Sequence, residues 1–219
     1  MMEEPSGAVT GEAPPQRVGR WRRPTVDTIA VIVLSTVAVL TAWCGFESSK
    51  WGGEMSIAFS QASSARVQAG DYASQARDAR ALDQGVFEQW VLADARGDTQ
   101  LVDYIEARFS PEFAVAFDAW TAEGRVDRGP FVRSDYVPPG TAEAKKLNDR
   151  ADERYNAALT DNARGDNYSL LTVMFALVLF LAAMSQRAIP RTGRLVLIGT
   201  AIAFALFGVV LLATFPIRI

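Results

Sequence analysis

The residues best suited to chemistry in this chain are carboxylates, and Asp149, Asp152, Glu153, Asp161 and Asp166 fall within one short stretch. Neighbouring acids can exchange protons with a substrate when burial pushes their pKa values apart. Here Lys145, Lys146, Arg150, Arg154 and Arg164 alternate with them at helical spacings, which is the pattern of a solvated, salt-bridged helix face. The run from Asp161 through Asn162, Arg164, Gly165 and Asp166 to Asn167 superficially suggests a calcium loop. It lacks the alternating acids followed by glycine and the closing glutamate that such a loop needs. Histidine is absent from all 219 residues, which removes the commonest general base and the commonest metal ligand together. A single cysteine, Cys44, excludes an intramolecular disulfide and a thiolate zinc cluster. No catalytic, cofactor or metal site is expected, and the expectation is a protein that is not an enzyme.

The elements that would carry any site are dominated by the membrane. Residues 28–46, 168–185 and 195–215 are apolar and free of charge. At about 1.5 Å per residue each can cross a hydrocarbon core roughly 30 Å thick. The expected organisation is a disordered tail over 1–26, a first span over 27–46 and a helical domain over 47–167. A second span over 168–186, a loop over 187–194, a third span over 195–215 and a short end over 216–219 complete it. Arg17, Arg20, Arg22 and Arg23 precede the first span, and Arg187, Arg191 and Arg194 fill the short loop. By the positive-inside rule both lie in the cytoplasm, so the domain over 47–167 and the end over 216–219 face out. That domain carries 21 acidic and 14 basic residues. The first span is too long for the apolar core of a cleaved signal, and Trp43 and Phe46 at its end suit an interfacial belt. Three lysines against many arginines, with abundant alanine, resemble bacterial usage, so a bacterial plasma membrane is the expected location. The partners expected are the lipid bilayer and a membrane protein or further copies of the chain, with no nucleic acid.

Beyond the first span the apolar pattern narrows to a stripe. Trp51, Met55, Ala58, Ala62, Ala65, Ala69, Tyr72, Ala76 and Ala79 follow at spacings of four and three, skip Asp83, and resume at Val86, Trp90 and Ala93. An average step of 3.5 predicts a long helix with a coiled-coil seam. Gly97-Asp98 should end it, and Leu101, Tyr104 and Ile105 suit a short helix. Ser110-Pro111-Glu112 is a helix start, with a capping hydroxyl, proline at the first position and an acid at the positive end of the dipole. Phe113, Phe117 and Trp120 give that helix an aromatic face, and Gly124 closes it. Residues 125–140 read as an irregular crossover. Thr141 then caps a second long helix with Ala144, Leu147, Ala151, Tyr155 and Ala158 on one face, running into the second span. The two long helices should be antiparallel, with Phe109, Phe113, Phe117, Trp120 and Phe131 at their far end. The fold class expected is therefore all-α, three spans with a long extracytoplasmic helical hairpin or bundle between the first and second.

The candidate interaction surface comprises Trp51, Met55, Tyr72, Trp90, Phe113, Phe117 and Trp120. Gly52, Gly53 and Gly165 stand at matching distances from the spans, and since glycine weakens a helix by about 1 kcal/mol relative to alanine, they form a candidate hinge. Within the spans, Gly199 with Ala203 and Ala201 with Ala205 are small-residue steps suited to close helix packing.

The segment Ala42-Trp43 through Ser48-Ser49-Lys50-Trp51, together with Asp166-Asn167-Tyr168-Ser169-Leu170-Leu171-Thr172-Val173-Met174-Phe175-Ala176, resembles a group of uncharacterised bacterial three-span membrane proteins of the domain-of-unknown-function type. The resemblance implies the three-span topology and brings no activity and no site residues. The order of span, helical bundle and span is also similar to chemoreceptor sensor domains, but a third span stands where those carry a HAMP-like linker. The function expected is a scaffold or accessory subunit acting through its helical domain, with a small-ligand sensor or a transporter or channel component as the alternatives.

Overall fold

A computed structural model describes residues 24–187 and 189–217. Residues 1–23 of the expected tail, with its arginine cluster, and the last two residues lie outside the described residues, whereas residues 24–26, also expected in the tail, are the first of a helix. Five α-helices and one 3-10 turn account for nearly all of the rest, and no β-strand occurs among the described residues. They are α1 (Pro24–Arg96), α2 (Thr99–Glu106), α3 (Pro111–Ala122), a 3-10 turn (Pro130–Val132), α4 (Thr141–Ser185) and α5 (Arg191–Thr214). Three of these, α1, α4 and α5, are long and apolar enough to cross a membrane, the architecture of a multi-pass membrane protein.

The chain divides into two compact units. One comprises residues up to Thr41 with Val173–Leu211 and holds most of the apolar runs. Ala30, Val37, Phe175, Val178, Ala182, Ile198 and Ala201 are its buried apolar side chains, and small side chains let the helices approach. Of the small-residue steps in α5, Ala201 is buried whereas Gly199 and Ala203 are exposed. Gly208 is the tightest contact: a Cβ there would lie 2.5 Å from the Met174 methyl and 2.6 Å from the Phe175 ring.

The other unit, Ala42–Thr172 with Leu212–Ile219, contains the helical domain. Here α1 and α4 meet in antiparallel order. The Phe59 and Tyr155 rings touch edge to face at 5.5 Å, Arg66 bonds Asp152 at 2.6 Å and Asn148 at 2.9 Å, and Gly140 lies against the Tyr72 carbonyl. Rising numbers on α1 pair with falling numbers on α4. The buried positions of α1 keep the count of seven expected of the seam: Trp51, Ala58 and Ala65 form one series, and Ala62, Ala69, Asp83 and Trp90 belong to the other. Ala144, Ala151 and Ala158 answer them from α4, again seven apart.

Local signals account for the helix ends. Gly97 (φ +71°) closes α1, and its neighbour Asp98 caps α2 by accepting from the Leu101 N–H at 3.1 Å. The Ser110 hydroxyl accepts from the Phe113 N–H at 3.2 Å, with Pro111 at the first helical position. Gly124 (φ +79°) ends α3. Thr141 departs from expectation. It is already helical, and its hydroxyl donates back to the Pro138 carbonyl at 2.7 Å, which fastens the crossover rather than capping α4.

Candidate functional site

The far end of the helical domain is built around α3. Its periodicity places Phe113, Ala116, Phe117 and Trp120 on one buried face, and they pack against Trp90 and Ala93 of α1 and Ile105 of α2. Phe87 is the hub, with rings of Trp90, Phe113, Phe117, Trp120 and Phe131 all within 6.4 Å of it, most of them edge to face. Edge-to-face pairs place positive ring edges on negative faces and add to the area buried. Both indoles are satisfied: Trp90 donates to Glu106 at 2.8 Å and Trp120 to the Asp127 carbonyl at 3.0 Å. Phe109 completes the cluster at 4.8 Å from Phe113 and from Phe117.

Polar groups close this core from the crossover. Asp83 is buried, and one of its carboxylate oxygens accepts from the Tyr136 hydroxyl at 2.8 Å and the Ser110 hydroxyl at 3.0 Å. Burial, and then the hydrogen bond to Asp83, hold the Tyr136 phenol well above its ordinary pKa. Arg80 lies over the Phe131 and Tyr136 rings and donates to the Phe131 carbonyl. Arg125 lies over Trp90 and Trp120 and pairs with Asp94 at 2.9 Å. Arg133 gathers Glu123, Asp127 and Asp135, and its hydrogen bonds hold the Glu123 and Asp135 carboxyls below their usual range. Outside the core, Ala81, Leu82, Gly85, Val86, Gln89, Ile105 and Arg108 line an open groove of about 430 Å³, with Leu82 73% exposed.

Of the seven residues expected to form an interaction surface, five are buried within the chain: Trp51, Trp90, Phe113, Phe117 and Trp120. Their area stabilises this fold. Met55 is half-buried, and Tyr72 is 39% exposed. Tyr72 stands where α4 begins, so no further turn of that helix covers its ring. The glycines of the expected hinge lie in unbroken helix, Gly52 and Gly53 in α1 and Gly165 in α4. A Cβ at Gly165 would meet the Ser48 carbonyl and the Trp51 Cβ, both at 3.5 Å.

The two segments that carry the resemblance are brought together. Ser48 donates to the Gly165 carbonyl at 3.1 Å and shares a hydrogen bond with Ser169 at 2.8 Å, while the Arg164 guanidinium stacks on Trp51. Tyr168 donates to the Pro216 carbonyl at 3.0 Å and packs on Phe215. Glu47, one residue beyond the first apolar run, is fully buried beside this junction. Comparisons with protein-family models, with curated proteins and with solved structures return no match.

Sequence reasoning passed over Asp83, Glu47, Phe87 and Tyr136. The count of seven from Ala62, Ala69 and Ala76 leads directly to Asp83, so strict periodicity was the available signal for it. Nothing local marks Tyr136, whose partner lies 53 positions away. Among the described residues no group of three or more His, Cys, Asp or Glu side chains could hold a metal ion.

Proposed function

We propose that this chain is a non-enzymatic integral membrane protein whose helical domain, held on the extracytoplasmic side of a bacterial plasma membrane, binds other proteins as a scaffold or accessory subunit. The N-terminus and the 187–194 loop are cytoplasmic in this reading, supported by their arginines. The observation that carries it is the far end of the domain. A core of closely packed aromatics fixes α1, α2 and α3 as one solid block, and on its outside the groove at Leu82, Gly85 and Ile105 remains open and apolar. Open apolar surface on a firm support is the usual mark of a docking face.

Crosslinking in the native membrane followed by mass spectrometry tests this. A stoichiometric partner crosslinked near Leu82 is expected, and its loss in Leu82→Asp, with helicity kept, identifies the groove. Crosslinks confined to copies of this chain would replace the scaffold with a homo-oligomer. Alkaline phosphatase inserted within 125–140 is expected to be active; an expressed but inactive fusion reverses the topology.

A second reading, a small-ligand sensor, is favoured by a separate groove of about 500 Å³ between α1 and α4. Phe59, Ser63, Arg66, Val67 and Tyr155 line it, and its size suits a small molecule. The aromatic end itself is filled by its own rings. A ligand-dependent rise in melting temperature, abolished by Tyr155→Ala, would select this reading over the scaffold.

A further inference from the structure

We infer that the partner seated in the groove at Leu82, Gly85 and Ile105 is an amphipathic helix standing in water along α1, basic over one half and apolar over the other. This refines the scaffold reading and rests on it. The groove is the middle of a longer stripe. Positions 71, 75, 78, 82, 85, 89, 92 and 96 follow at alternating steps of four and three, and all are exposed. An average step of 3.5 lets a second helix pack its side chains into the gaps of the first. The stripe lies clear of the buried seam that meets α4, so α1 offers two helical faces and the fold fills one. Gly85 supplies the gap. It stands inside unbroken helix, and a Cβ there would meet nothing within 4 Å, so neither the backbone nor internal packing calls for glycine. Glycine inside a helix costs stability against alanine. What it leaves here is a hollow beside Leu82 and Ile105, in a groove of about 430 Å³.

Charge then fixes the occupant. Asp71 and Asp78 stand on the half of the stripe nearer the first span, and Arg96 stands at its other end. None of the three forms an ion pair among the described residues. A second copy of this chain, held parallel by its spans, would set each of these charges against its own like, which is repulsive. The complement is a different helix, with lysine or arginine opposite Asp71 and Asp78 and apolar side chains opposite Leu82, Gly85 and Leu92. The block around the groove favours the same partner, because residues 78–135 carry 12 acidic against 6 basic side chains and attract a basic segment. Leu82 lies 36 positions beyond Phe46, roughly 50 Å along the helix. The occupant is therefore a segment outside the bilayer and not one of the partner's spans.

Fluorescence anisotropy of labelled synthetic helices, three heptads long, on the full chain in lipid nanodiscs tests this. One helix carries lysine along the stripe of one half and leucine along that of the other; its counterpart carries glutamate for lysine. Each is made in both directions of sequence. The lysine helix is expected to bind about tenfold tighter than the glutamate helix, the scale of two exposed attractions set against two repulsions. Gly85→Leu fills the hollow without disturbing the fold, and should weaken the lysine helix roughly tenfold, as expected of a blocked seat at the centre of an interface. Asp71→Lys with Asp78→Lys should reverse the preference. Equal affinity for the two helices, or a preference indifferent to both variants, overturns the inference. If a stoichiometric partner is nonetheless crosslinked near Leu82, the scaffold reading stands without it. Absence of any partner crosslink near Leu82 in the native membrane removes the scaffold reading and this inference together. Circular dichroism confirms that each variant keeps its helices, and if the double charge variant does not, Gly85→Leu decides.

Discussion

The middle and the far end of the helical domain are held together by opposite means. In the middle, α1 meets α4 through Ala58, Ala62, Ala65 and Ala69 against Ala144, Ala151 and Ala158. Each alanine removes little apolar area from water, so stability there comes from close backbone approach summed over many turns. At the far end, Phe87, Trp90, Phe113, Phe117 and Trp120 concentrate large rings in one cluster. Helices of a few turns, such as α2 and α3, would not persist alone and depend on that cluster. The comparison teaches that a long two-helix element tolerates a thin interface because the covalent helix spreads it, whereas short helices need dense packing.

The sharpest way to break this contrast is to truncate one large ring. Trp90→Ala or Phe113→Ala is expected to cost about 3–5 kcal/mol and to loosen α2 and α3 while the α1–α4 pairing stays helical. Hydrogen exchange resolved by segment checks this, and equal loss of protection across both regions would show that they unfold as one. The reverse change, Ala151→Leu, inserts bulk at a fully buried position of α4 and should cost roughly 1–3 kcal/mol, with protection falling first along α1 and α4. Asp83→Ala comes next at about 2 kcal/mol, because the buried Tyr136 hydroxyl and the half-buried Ser110 hydroxyl lose their acceptor. Denaturant midpoints rank the three.

Titration should separate the regions with the smallest effect. Glu123 and Asp135 are held below their usual range by Arg133. Their contribution is complete above about pH 4.5 and drains as pH falls through their lowered values. Tyr136 behaves in the opposite sense: its contribution is complete below about pH 10 and is lost as pH rises toward its raised value. Tryptophan fluorescence should therefore report loosening of the far end at both extremes. An alkaline change that survives Tyr136→Phe would come from elsewhere.

Much of this was legible in the sequence, for physical reasons that differ by element. Charge-free runs as long as 28–46 and 195–215 have few structural meanings, and helix ends such as Ser110-Pro111 and Gly97-Asp98 are set by adjacent residues. The buried positions Trp51, Ala58, Ala62, Ala65 and Ala69 were legible because their spacing is local, whereas Tyr72, expected in the same stripe, is exposed. The site was less so. A charged residue at Asp83 interrupted an apolar count, although it occupies the same face as Ala76 and Trp90. Its partners come from α3 and the crossover, and no local pattern announces them. The aromatic residues were recognisable as a group; that they would be closed over by Arg80 and Arg125 depends on the path of 125–140. Arg125 itself adopts φ +59°, a conformation no rule of spacing assigns to arginine.

The small residues spaced by seven on both long helices carry a hazard of translational degeneracy. Slid by one repeat, about 10 Å, Ala144, Ala151 and Ala158 would find alanines much like those they left. A seam of this kind cannot choose among alignments by itself. The choice falls to the few positions that are not interchangeable: Phe59 against Tyr155, Gly140 against the Tyr72 carbonyl, and Asp83, which ties the crossover leading into α4 to α1 by accepting from the Tyr136 hydroxyl. Through the crossover that delivers α4, Asp83 thus serves as an index mark on an otherwise uniform scale, and its removal should widen the set of alignments the two helices populate.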